Sequence, residues 1–268
     1  MHLHFLDPYR PGQSPIHAAD ARLKFVLTLA FILTVSLTPF AAWPVYILLF
    51  ALILSVEILS GLGLGYVLKR ANLALLFVLA ALPLIFTVEG RALFSLPLGA
   101  WTLTASAEGL ARFVSVALKS WLSVQAAILL VATTEFPALL YAMRAVGIPR
   151  LLVAMFGLTW RYLFVLADEA LRLMRARAAR SGQDGQAGRR SGGSVAWRAR
   201  VTGGMVGSLF LRAFERADRI YVAMLSRGYD GEVRTLPLPP FTPTHRLALF
   251  AGLIVLALLL AFGLLFGG

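Results

Sequence analysis

The side chains in this 268-residue chain that could carry chemistry are few and scattered. Histidine occurs only at positions 2, 4, 17 and 245. His2, His4, Asp7 and His17 could in principle ligate a metal. Histidines near a terminus without fixed spacing are read instead as a polar tail, so no metal site is expected. Cysteine is absent, which excludes disulfides, thiolate ligands and cysteine nucleophiles. No HExxH, GxSxG or Walker A pattern occurs, so neither enzymatic activity, ATP hydrolysis nor a cofactor is expected. What remains is arginine at two similar places. Ala179-Arg180-Ser181, followed by Gly182, and Ser226-Arg227-Gly228 each set an arginine where a long helix would end. Glycine suits the left-handed residue after a helix, and a cation there favours the helix dipole. Many ordinary helices end this way. Two such endings on adjacent long helices would offer a pair of planar, always-charged forks to a partner with two acidic sockets.

The elements that carry these arginines belong to a membrane chain. Its residues are 59% hydrophobic and 14% charged, against about 45–50% and about 25% in soluble domains. Twenty-five bases against 13 acids leave a net charge of +12, which predicts basic segments on one side of a membrane rather than nucleic-acid binding. Met1 to Arg10 lacks a basic stretch followed by an apolar run, so no cleaved signal peptide is expected. A spanning helix needs about 20 mostly apolar residues. Leu247–Phe266, Ala71–Val88 with a kink at Pro83, and Leu110–Thr133 are predicted spans. Arg112 and Lys119 in the last of these can snorkel or face the interior. The charge-free run Phe25–Val56 is too long for one span, and Pro39 and Pro44 bracket a turn. It is read as a hairpin, Leu23–Thr38 and Pro44–Leu62, with Trp43 and Tyr46 at the interface. Glu57 is the main acid at spanning depth, where proton relays and cation paths need more.

Charge then sets the sidedness. Arg10, Arg22 and Lys24 precede the first span, Lys69 and Arg70 follow the second, and Arg161–Arg234 holds 14 bases against 7 acids. The positive-inside rule places all three groups, and the N-terminus, in the cytoplasm, which requires four spans before residue 134. The base-poor stretch Glu89–Glu108 and the C-terminus fall outside. Three parts follow: 1–133, an arm and four spans; 134–243, a cytoplasmic module; and 244–268, the last span. Within the module, Thr134-Glu135-Phe136-Pro137 reads as a helix start with a threonine cap. A short helix runs to Ala145, and a long one from Pro149 to Arg180 is apolar first and charged later. Ser181–Ser194 reads as a loop, and a second long helix spans Val195–Ser226. Its Gly203, Gly204 and Gly207 each cost about 1 kcal/mol against alanine, which predicts close crossing by another helix there. Glu215 and Arg219 are read as a surface pair, and Val233–Thr244 as a proline-rich connector.

These residues resemble a known family, the transmembrane T component of energy-coupling factor (ECF) transporters. Pro11-Gly12-Gln13-Ser14-Pro15-Ile16-His17, with Asp20, Arg22 and Lys24, is similar to its N-terminal signature, with Ala18, Ala19 and Ala21 in place of more usual residues. The two X-Arg-X endings are similar to the family's paired motifs, with Ser181 and Ser226 as departures from Ala-Arg-Gly. Trp160-Arg161-Tyr162, Asp168-Glu169, Glu215-Arg216-Ala217 and the run Tyr221–Gly231 look most like the cobalt-type member, CbiQ. The resemblance implies an all-α polytopic protein with about five transmembrane helices and two long crossing coupling helices. It implies a multi-pass subunit of the cell membrane. It also implies partners: two ABC-type ATPases docking at Ala179, Arg180, Ser181, Ser226, Arg227 and Gly228, and a membrane-embedded substrate-binding subunit. The cargo implied is cobalt, with nickel or a vitamin as alternatives. A self-sufficient secondary transporter is the rival of a different class; it predicts paired broken segments in corresponding halves, which the chain lacks.

Overall fold

The computed structural model describes residues 8–98, 101–180, 194–231 and 240–266. His2, His4, Asp7, Ser181, Gly182 and most of the proline-rich connector lie outside them. The elements are α1 (Pro15–Ala18), α2 (Ala21–Leu37), α3 (Trp43–Ser60), α4 (Leu64–Val78), a 3-10 turn (Leu79–Ala81), α5 (Leu84–Thr87), β1 (Ala92–Leu98), β2 (Trp101–Ser106), α6 (Ala107–Thr133), α7 (Phe136–Ala145), α8 (Arg150–Arg180), α9 (Val195–Leu225) and α10 (Pro243–Phe266). The protein is an all-α polytopic membrane protein. Among the described residues the one addition is an antiparallel hairpin, β1–β2, in the stretch predicted only as an outside loop. By length and composition α3, α6, α8 and α10 can each cross a membrane. The chain forms two compact units, α1–α7 with α10, and α8 with α9. The boundary falls after α7 because α7 packs on α2, whereas the sequence groups 134–243 together.

Local sequence signals account for the helix ends. Asp20 caps α2 by accepting from the Arg22 N–H at 2.8 Å, and Ser106 caps α6 by accepting from the Gly109 N–H at 3.0 Å. α2 stops before Pro39, which disfavours a helical residue ahead of it. The predicted kink at Pro83 is a full break: α4 ends, a 3-10 turn follows, and Pro83 caps α5. Thr134 is not the cap of α7. It is buried and closes α6, and Glu135 takes the cap position, with Pro137 in the first turn.

Side-chain contacts give the direction of each segment. Lys24 Nζ donates to the Thr133 carbonyl at 2.8 Å and Lys119 Nζ to that of Ser36 at 2.9 Å, so α2 and α6 are antiparallel. Trp121 Nε1 donates to Asn72 Oδ1 at 3.3 Å, while Gly109 abuts the carbonyls of Leu84 and Ile85, so α4–α5 also opposes α6. Gly252 lies against Leu27 and Gly263 against Thr38, so α10 runs parallel to α2. The 38–42 turn sends α3 back along α2. Five segments therefore alternate, with α2, α4 and α10 running one way and α3 and α6 the other. Arg22, Lys24, Lys69, Arg70 and Arg246 gather at one end and the hairpin at the other, the arrangement that the charge pattern requires.

The core of this bundle is Val35, Val45, Leu49, Val67 and Leu122, each at most 1% exposed. Phe50 stacks on Trp121 with ring centroids 5.6 Å apart. Outward-facing Leu33, Ile47, Leu73 and Leu265 carry no penalty, because lipid is as apolar as they are and association rests on packing. Tyr46 departs from its interfacial expectation. It is 3% exposed, its hydroxyl donating to the Pro39 carbonyl at 3.1 Å. That bond lets a tyrosine be buried; Trp43 keeps the exposed position.

Three polar side chains are buried with no hydrogen-bond partner among the described residues: Glu57 on α3, at both carboxyl oxygens, Gln125 on α6, and the Thr134 hydroxyl at the end of α6. An unsatisfied buried polar group costs about 1–3 kcal/mol. Glu57→Leu is therefore expected to raise the thermal unfolding temperature of the purified subunit. A fall would show that the carboxyl is engaged in the assembled bundle.

Candidate functional site

The candidate site is the α8–α9 unit, and its organising residue is Glu169. Glu169 Oε1 accepts from Arg212 of α9 at 3.0 Å, and Oε2 from Arg172 of α8 at 3.2 Å. Arg216 Nη2 lies 3.5 Å from Oε2. The carboxylate is only 14% exposed, while Arg172 and Arg212 remain more than half exposed. One acid thus gathers three guanidinium groups and ties the two helices together. A second tie lies further along, where Arg177 donates to Thr202 Oγ1 at 3.0 Å. Moving along α8 from 169 to 177 retreats along α9 from 212 to 202, so the helices are antiparallel.

That orientation decides what the arginine endings can do. Arg180 is the last residue of α8, and Arg227 follows the end of α9. At α9 the predicted glycine stop is formed. Gly228 has φ +77°, its N–H donates to the Leu225 carbonyl at 3.0 Å, and the Tyr229 N–H donates to that of Met224 at 3.1 Å. This pair of bonds is a Schellman ending. The matching Gly182 lies outside the described residues. Both arginines are exposed, and among the described residues neither is held in an ion pair. Because the helices are antiparallel, Arg180 and Arg227 sit at opposite ends of the pair. At about 1.5 Å per residue, 31-residue helices separate such tips by tens of ångströms.

The glycines of α9 need a correction. Among the described residues a Cβ at Gly203, Gly204 or Gly207 would meet nothing within 4 Å, so α8 does not pack closely on α9 at these glycines. The ties seen between the two helices are made by long side chains, Arg212, Arg216 and Arg177. The close-approach glycines are in the bundle: a Cβ at Gly109 would lie 2.6 Å from the Leu84 carbonyl oxygen, and one at Gly252 would lie 2.7 Å from Leu27. Gly203→Ala and Gly207→Ala should therefore each leave the isolated subunit as stable or up to about 1 kcal/mol more stable, by helix propensity. Thermal unfolding of the purified variants checks this; a lowered midpoint would reinstate a crossing contact.

Glu215 and Arg219 do not form their predicted pair among the described residues; the α9 arginines that pair are Arg212 and Arg216. His17 has a structural place. Its Nε2 donates to the Arg10 carbonyl at 3.0 Å, which leaves Nδ1, 2.7 Å from Ser14 Oγ, as the acceptor in the neutral ring. The arm is further held by the Arg10 N–H donating to the Ala132 carbonyl at 3.0 Å and by the Arg10 guanidinium over the Tyr66 ring. Glu169 enters the sequence reading only through the Asp168-Glu169 resemblance, with no partner assigned to it. The available signal was an adjacent pair of acids, Asp168 and Glu169, in the charged half of a helix otherwise dominated by arginine.

The bundle defines an integral-membrane protein. A family described as cobalt transport protein, CbiQ, matches residues 12–237. Among curated relatives, the energy-coupling factor transporter transmembrane protein EcfT of Thermosediminibacter oceani is 32% identical over 85% of each chain. The protein of the same name from Exiguobacterium sibiricum is 32% identical over 94% of this chain and 95% of its own. The cobalt transport protein CbiQ of Rhodobacter capsulatus is 29% identical over 81% of each. The chain belongs to the CbiQ family of ECF transporter T components.

Proposed function

We propose that this chain is the coupling subunit of an ECF-type ABC importer. It links ATP hydrolysis by two partner ATPases to uptake through a separate substrate-binding membrane subunit, and is itself no enzyme. The observation that carries this reading is the placement of Arg180 and Arg227, exposed at opposite ends of one antiparallel pair. Two separated ATPase sockets fit that spacing, whereas one socket would need both tips together. A carboxylate in each socket would meet the planar fork, as charge-assisted bonds favour. Closure of the ATPases would then move both tips, and the Glu169 ties would make α8 and α9 move as one piece. Val206, Phe210, Phe214, Tyr221 and Leu225 form an exposed apolar stripe on α9 at helical spacing, continuous with Gly203 and Gly207. This stripe supports a membrane-embedded partner on that face. Cobalt is the favoured cargo, because the CbiQ description and the Rhodobacter relative carry that name. A nickel or vitamin importer is the second reading, favoured by relatives named EcfT without an ion. Co-purification tests the core of the reading: the tagged chain should retain two ATPase subunits, and transport by the chain alone would overturn it.

The N-terminal arm and the α8–α9 connection should both be cytoplasmic. The chain has no cysteine, so single cysteines at Gln13 and Ala187 report without background. Gln13 is chosen because Gly12 lies against the His17 ring. Both sites should resist an impermeant thiol reagent in intact cells and react after lysis. Labelling of one and protection of the other would refute the assignment.

A further inference from the structure

The bundle contains a cavity of about 380 Å³ between α2, α3, α6 and α10. Leu27, Phe31, Ile53, Leu129 and Leu256 form its walls, and Lys24 and Thr133 lie at the basic end. Ala251 and Val255 line it too while remaining exposed on the outer face of α10, so the cavity communicates with the surroundings of the bundle. A void of about 150 Å³ lined by aliphatic and aromatic side chains stays dry and accepts an apolar guest. This one is more than twice as large and lies within membrane-spanning segments, where the surrounding medium is hydrocarbon.

Charge at one end selects the guest. The Lys24 ammonium spends one N–H on the Thr133 carbonyl, leaving two donors. Asp20 caps α2 and lies 3.9 Å from Arg22 Nε, and its charge also acts on Lys24. Asp20, Arg22 and Lys24 together carry one net positive charge, and Arg246 opens α10 at the same end. Basic residues at a membrane surface attract anionic headgroups. We infer that the cavity holds an acyl chain of an anionic phospholipid from the leaflet at the basic end, its phosphate beside Lys24. The lipid would fill a gap that side chains leave between α10 and the rest of the bundle.

The full-length chain, purified in mild detergent and exposed to equal amounts of phosphatidylglycerol and phosphatidylcholine, is examined by native mass spectrometry. One phosphatidylglycerol should be retained in preference to phosphatidylcholine. Lys24→Gln should lower that preference about fivefold while still retaining a lipid, as expected for one surface charge. Ala251→Trp, which blocks the opening from an exposed position, should remove the retained lipid altogether; if it does not fold, Val255→Phe serves. Unchanged retention in a folded mouth variant overturns the proposal, as does equal retention of both lipids by the wild type. Loss of a co-purifying protein subunit in the mouth variants, without any lipid bound to the wild type, would assign the cavity to that subunit instead.

Discussion

Replacing Arg180 and Arg227 together with alanine is expected to abolish substrate uptake while leaving membrane insertion intact. Each guanidinium is exposed at a helix end, free to meet a carboxylate on an ATPase. Truncating one side of a charge-assisted contact costs about 1.5–3 kcal/mol, so each single variant should weaken ATPase docking roughly 10–100-fold. Because the two tips lie at opposite ends of the pair, each should engage its own subunit, and the two losses should add. Lysine should restore docking only in part, since a point charge does not reproduce the planar fork. If the arginines served only the helix dipole, each would contribute about 0.3–1 kcal/mol, and lysine would do as well. Pull-down of the ATPases and uptake in single, double and lysine variants separate the cases. Wild-type uptake in the double alanine variant would remove the coupling role.

Charge reversal at Glu169 should uncouple the two long helices. Glu169→Arg sets a fourth guanidinium among Arg172, Arg212 and Arg216. Like charges at such separations repel, and the tie between α8 and α9 then rests on Arg177 and Thr202. Changes along a coupling element shift function by a factor of roughly 3–30, and uptake should fall within that range while ATPase binding to each tip persists. Arg212→Glu in the same chain should recover part of the loss by restoring an opposite-charge pair. A thiol cross-linker between cysteines at Ala176 and Gly203 reads the helix pair directly. Its yield should drop in Glu169→Arg and return in the swap; unaltered cross-linking and uptake would show that Glu169 positions nothing.

The comparison with Glu215 and Arg219 shows where sequence reading stops. An i,i+4 pair is visible in any helix, because its spacing is fixed by one turn, and so it was the pair the sequence offered. The pairing that forms joins residue 169 to residues 212 and 216, across an intervening connection. Nothing in local spacing reports it. The glycines of α9 carry the same lesson. Their cost to the helix is a local fact, but whether another backbone approaches depends on register between helices. By that criterion Gly109, against the Leu84 and Ile85 carbonyls, is a close-approach glycine, and Gly252 packs on the Leu27 side chain; neither stands out in the sequence.

The sequence by itself determined the class of the protein and the two Arg-ended helices. These follow from composition, apolar length and the placement of charge, each readable over one or two turns of chain. It also marked the stop at Gly228, because a left-handed residue has a strong local preference for glycine. Tertiary structure alone decided that α8 and α9 are antiparallel, which sets Arg180 and Arg227 at opposite ends. It alone decided that Glu169 gathers three arginines, that Tyr46 is buried on a carbonyl, and that four helices leave a cavity beside Lys24. The physical reason is that these features arise from register between segments distant in the chain. Register is set by the packing of whole helix faces, and no short stretch of sequence contains it.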